Sequence, residues 1–152
     1  MGHAPEAIAS TPRPAVRDAR LPFVTLAGAA ALYAAGFAVV TWPYVRHFGT
    51  AYWSDGGDGL ENAWNLWWVR YALVVLHRSP WHTTYLHYPF GMSLHGHALG
   101  AFNGLLALPL AAVLGPAATY DSVVLFSFVA AGVTACMLAY DVTRGTVPAQ
   151  VH

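Results

Sequence analysis

Leu21–Val45 carries no charged residue, and neither does Ser122–Tyr140, which is bounded by Asp121 and Asp141. Stretches of that length constrain a chain severely. The hydrocarbon core of a bilayer offers no hydrogen-bond partners, so a segment that enters it must satisfy its own backbone, and about 20 apolar residues in a helix suffice to cross. Composition points the same way. Hydrophobic residues make up 57% of the chain and charged residues 9%, against about a quarter charged in soluble domains. An ordinary soluble domain is therefore excluded. The formal net charge is zero, so no basic surplus points to nucleic acid. The single cysteine, Cys136, lies inside the second uncharged run, which rules out an internal disulfide framework or a multi-cysteine metal site.

The expected architecture is an all-α integral membrane protein with two full transmembrane helices and a third that is short or re-entrant. Residues 1–20 are rich in Pro, Arg and Ala and read as a disordered cytoplasmic N-terminus. Arg13, Arg17 and Arg20 set that orientation by the positive-inside rule. The first span covers 21–44 and closes with Trp42, Pro43 and Tyr44, an interfacial ending. It is longer than a signal-peptide core and no small-residue cleavage site closes it, so it reads as a retained anchor. A second full span covers 122–140, and Arg144 after it favours a cytoplasmic end, with 145–152 as a tail. Between them, 99–115 lacks charge but is interrupted by Gly100, Gly104, Pro109 and Gly115. It either crosses as a third span or dips in and returns; the two-span reading is preferred, because broken helices at membrane depth need cover from other protein. A multi-pass protein of the plasma membrane follows. So few helices cannot shield such a segment, and the chain is expected to be the N-terminal portion of a larger membrane domain, or to need a partner subunit.

Residues 46–97 then form an extracytoplasmic loop dense in tryptophan and tyrosine. Within it, Leu60–Leu76 has helical periodicity: Leu60, Ala63, Trp64, Trp67, Tyr71, Val74 and Val75 recur at three and four. This predicts an amphipathic helix at the membrane interface, ended by Ser79–Pro80. Tyr85–Gly91 reads as extended chain and turn.

The chemistry-bearing stretch is Ser54–Trp68, SDGGDGLENAWNLWW. Asp58 is the candidate general base, a carboxylate at the outer face able to take a proton from an acceptor hydroxyl. Asp58-Gly59-Leu60-Glu61 also fits a capping box, with Asp58 as N-cap and Glu61 as its partner, and the two roles are compatible. Asp55 is the second candidate acid. It either joins Asp58 in holding a divalent cation, since hard cations take oxygen ligands, or belongs to a Ser-Asp-Gly-Gly turn. Arg70, with Arg46 and Arg78, is suited to gripping a lipid phosphate or to snorkelling. Trp67 belongs either to a sugar platform or to membrane and core contacts, and Tyr88 in Tyr88-Pro89-Phe90-Gly91 either shapes a substrate groove or a structural turn. Eight histidines include the pair His95-Gly-His97. No acid or cysteine motif matches that pair at zinc spacing, so interfacial histidine is the reading and no metal site is assigned.

In order and spacing, Gly57, Asp58, Asn62, Trp64, Trp67 and Trp68, then Tyr88, Pro89 and Gly91, then Asn103–Leu110 resemble motifs of bacterial integral-membrane glycosyltransferases of the GT-C type. These are relatives of protein mannosyltransferases and of arabinose transferases acting on lipid A. The resemblance covers about Leu21–Arg144 and corresponds to the N-terminal part of such proteins. It implies a polyprenyl-phosphate-linked sugar as donor and an acid in the first extracytoplasmic loop as catalytic base, the position that Asp58 matches best. The function expected is a fragment of an enzyme moving a sugar to an acceptor at the extracytoplasmic face, inactive in isolation. The alternative is a non-catalytic small membrane protein, an assembly subunit or a degenerate remnant. A transporter piece would carry acids within its spans, and the acids here lie outside the apolar runs.

Overall fold

A computed structural model describes residues 22–54 and 57–146. The expected N-terminal segment 1–20, Asp55 and the end of the tail lie outside them. The described chain is mostly helical. Helix α1 spans Phe23–Val40. It starts after Pro22, runs through Ala, Leu, Val and Phe, and stops where Pro43 can supply no N–H. Thr41 closes it, its hydroxyl donating to the Phe37 carbonyl at 2.8 Å. A single 3-10 turn, Tyr44–His47, follows.

Helix α2 spans Asp58–Arg70 and continues as a wider π turn over Tyr71–Val75. The helix is where the periodicity predicts, and protein fills a second face that the periodicity did not mark. Asn65, Trp68, Val69 and Ala72 are buried, the i, i+3, i+4, i+7 row of one helix face. Leu60, Trp67, Val74 and Val75, from the expected apolar face, remain exposed. The helix therefore carries two apolar faces, one filled by protein and one open. The N-cap is Gly57, which has no side chain to cap with, and Asp58 is the first residue of the helix and not its cap. The chain leaves the helix at His77, in the left-handed region at φ 51°.

Two short antiparallel strands, β1 (His82–Thr83) and β2 (Met92–Ser93), pair His82 with Ser93 and Thr83 with Met92, a small departure from the all-helical expectation. The loop they close carries Tyr85, Tyr88 and Phe90. Gly91 has φ 72°, and a side chain there would strike the Thr83 carbonyl. The indole of Trp68 donates to the Pro80 carbonyl at 2.8 Å, which ties the hairpin to α2. Leu94 and Leu99 complete a compact core with Trp68, Val69 and Ala72.

Helix α3 spans Ala101–Ala111. Its 11 residues rise about 16 Å, well short of the roughly 30 Å hydrocarbon core, so α3 by itself is not a crossing. It packs on α2 through Gly104, where an added methyl would lie 2.6 Å from Val69 Cβ. Helix α4 spans Pro116–Thr146, opening on a proline at the first helical position, where no N–H is needed. It begins before the expected span and runs past Arg144. Phe37 meets Phe128 edge-on at 5.7 Å, and the Tyr33 ring lies over Gly132. Residues earlier in α1 thus meet residues later in α4, and the two helices are antiparallel. Both are long and apolar enough to cross a membrane, and the chain between them gathers at the end where α1 finishes and α4 begins.

Candidate functional site

Asp121 organises that end. It lies about 7 Å into α4 at 1.5 Å per residue and is 1% exposed. One carboxylate oxygen accepts from the Gly49 N–H at 2.8 Å and the other from the Trp53 N–H at 3.0 Å. Carboxyl oxygens out of water need such partners. The sequence places Asp121 outside the uncharged run, but the helix starts earlier, so this acid is internal to α4. Its partners are far away in the chain, and no local signal marks it.

The strap held by Asp121 forms one wall of a hollow. Tyr44, Tyr52, Trp53, Ser54, Gly59 and Tyr120 line about 530 Å³ of space, with Tyr52 and Tyr120 meeting edge-on at 5.7 Å. Asp58 stands beside Gly59 at the start of α2 and is exposed. Gly59 is required there, since a side chain would run into Ser54.

Trp67 and Arg70 stand elsewhere. They line a smaller cleft, about 60 Å³, against Ala111, Leu114, Thr119 and Tyr120. Asp58 and Arg70 sit at opposite ends of α2, about 18 Å apart along its axis at 1.5 Å per residue. The candidate base and candidate phosphate grip therefore do not form one site within this chain. Tyr88 is 84% exposed at the hairpin tip, away from either hollow's lining.

Trp67 also belongs to an aromatic array. It stacks on Tyr71 with ring centroids 5.0 Å apart, and Trp64 stacks on Trp68 at 5.8 Å. The Tyr85 hydroxyl donates to the Tyr71 hydroxyl at 3.2 Å. Ionising Tyr85 would forfeit that bond, which together with partial desolvation holds its phenol above the ordinary tyrosine value.

Glu61, expected as a cap partner, instead faces the chain leading into α3: its Oε1 lies 3.5 Å from His97 Nδ1. Asn65, one turn further along α2, donates from Nδ2 to the Ala98 carbonyl at 2.9 Å. Among the described residues no three His, Cys, Asp or Glu side chains gather as a metal site.

Comparison with known protein families, curated proteins and solved structures gives no match.

Proposed function

We propose that this chain is part of an integral-membrane glycosyltransferase of the GT-C type, moving a sugar from a polyprenyl-phosphate donor to an acceptor at the extracytoplasmic face of the plasma membrane. In this reading α1 and α4 cross the bilayer, the N-terminus is cytoplasmic, and residues 41–115 stand at the outer surface. The observation that carries the reading is an aromatic-walled hollow of about 530 Å³ lined by Gly59, the chain neighbour of Asp58, within the range of small-ligand sites, at one end of two helices whose apolar side chains find little protein to cover them.

The chemistry asks for one displacement at the sugar's anomeric carbon. The acceptor oxygen forms its bond from the face opposite the phosphate, the bond to phosphate breaks with its electron pair leaving on the phosphate oxygen, and configuration inverts. Asp58 takes the acceptor's proton. Charge on the leaving phosphate needs a cation or donors nearby. Arg70 stands at the far end of α2, so that role falls to another group, a divalent cation or a residue of an associated membrane segment.

The same separation favours a second reading, a non-catalytic membrane subunit in which Asp58, Trp67 and Arg70 serve packing and solvation independently. The discriminating experiment is transfer of labelled sugar from a polyprenyl-phosphate donor in membranes expressing the full locus, wild type against Asp58→Asn. The enzyme reading expects transfer to fall by at least about a hundredfold, the scale of a lost general base. Transfer unchanged in Asp58→Asn removes Asp58 as the base, and no transfer by the wild type supports the subunit.

A further inference from the structure

Two buried polar atoms among the described residues lack a hydrogen-bond partner: Asn65 Oδ1 and His97 Nδ1. Both residues belong to the contact between α2 and the segment entering α3. Asn65 is 2% exposed, and its Nδ2 is committed to the carbonyl of Ala98, the residue after His97. That bond settles the orientation of the amide and leaves its oxygen an acceptor without a partner. Glu61 precedes Asn65 by one helical turn on the same face of α2. Buried polar atoms are rarely left unpaired, and an absent ion or water is one standard cause.

The spacing of the ionisable pair distinguishes between these causes. Glu61 Oε1 and His97 Nδ1 are 3.5 Å apart yet share no hydrogen bond. Two ligands of a tetrahedral zinc, each about 2.0–2.2 Å from the metal, stand about 3.4 Å from one another. A carboxylate and an imidazole so placed are close enough to share an ion. Imidazole nitrogen suits zinc, copper, iron and nickel, whereas carbonyl oxygen suits harder ions such as manganese; a carboxylate and an imidazole are both zinc ligands.

We propose that Glu61 Oε1, Asn65 Oδ1 and His97 Nδ1 form a divalent transition-metal site of the zinc type, with a fourth position open toward the exposed side of Glu61. The site joins α2 to the segment entering α3, and none of its three residues lines the aromatic hollow, so it does not depend on the sugar-transfer reading. His95 is not part of it. Its Nδ1 pairs with Ser93 Oγ at 2.9 Å and its ring stacks on Trp81.

The test is zinc binding by the full chain in lipid nanodiscs, stripped with chelator and titrated with Zn²⁺ against a chromophoric competitor. One equivalent is expected to bind. His97→Ala and Glu61→Gln should each weaken it at least about tenfold, the lower end of what even outer-shell losses cost, while His95→Ala keeps wild-type affinity. Zinc should also raise the unfolding temperature of the wild type and of His95→Ala but not of Glu61→Gln. Absence of stoichiometric zinc, or wild-type affinity in His97→Ala, overturns the site and leaves a bridging water as the partner of the two atoms. Should His97→Ala fail to fold, Glu61→Gln decides alone, since Glu61 is partly exposed and the change preserves its size.

Discussion

In the 18-residue apolar windows of α1 and α4, 6% and 11% of residues are buried, while α2 inserts a full row of Asn65, Trp68, Val69 and Ala72 beneath α3 and the hairpin. The first pair touches along one line, Phe37 to Phe128 and Tyr33 to Gly132, and leaves the rest of its apolar surface open. The second unit encloses a small core of the kind that water drives together. The contrast teaches where each part finds its solvent. A helix pair with so little cover is long and apolar enough to cross a membrane, and in lipid such a pair would be held by packing and not by hydrophobic burial. The α2–α3 unit has one face suited to an aqueous core and another, Leu60, Trp67, Val74 and Val75, suited to an interface. Asp121 joins the two regions through the strap at Gly49 and Trp53.

The contrast breaks most visibly at Trp68. Trp68→Ala empties the centre of the α2 core and cuts the bond to Pro80, and should destabilise that unit by about 3–5 kcal/mol. Hydrogen exchange should rise across 58–111 while the amides of α1 and the middle of α4 stay protected. Equal loss of protection in α1 and α4 would make the two regions a single cooperative unit.

A smaller effect is expected at the junction. Asp121→Asn keeps the size but sets an amide N–H₂ against one of two backbone donors, costing about 1–3 kcal/mol. The amides of Gly49 and Trp53 should then exchange faster, with little change at Val69 or Ala72.

The smallest effect lies on the exposed aromatic array. Tyr85's raised pKa means that the folded state holds the proton more tightly than the unfolded chain. The associated stability is present below the ordinary phenol value and disappears as pH rises through the raised one. Tyr71→Phe removes the partner hydroxyl, so difference titration of tyrosinate absorbance should show Tyr85 ionising at lower pH than in the wild type.

Much of this architecture is legible in the sequence, because charge-free runs and helical periodicity are local. Leu21–Val45 contains α1, Ser122–Tyr140 lies inside α4, and Leu60–Leu76 closely tracks α2 with its π turn. Which face of α2 goes inward is not local. Trp67 and Trp68 are adjacent and chemically alike, and only the hairpin carbonyl at Pro80 and the contact of Gly104 with Val69 turn Trp68 inside. The same holds for polar partners: Asp121 finds Gly49 and Trp53, and Glu61 finds His97, across distances in the chain that no motif spans. Among the candidate site residues, Trp67 and Arg70 come together in one cleft, whereas Asp58 stands at the other end of the helix and Tyr88 at the hairpin tip. Asp58 and Trp67 share one motif stretch with Arg70 just beyond it, and the length of α2 holds Asp58 and Arg70 apart.

The central claim, that α1 and α4 form a lipid-facing pair with residues 41–115 gathered at one end, is tested most directly by labelling with a membrane-impermeant maleimide in nanodiscs. On a Cys136→Ser background, cysteines are placed at Ser79, exposed after α2, and at Ala131, exposed midway along α4. The account predicts rapid labelling of Ser79→Cys and protection of Ala131→Cys that disappears on unfolding in denaturant. Labelling of Ala131→Cys as fast as Ser79→Cys in the bilayer would contradict it.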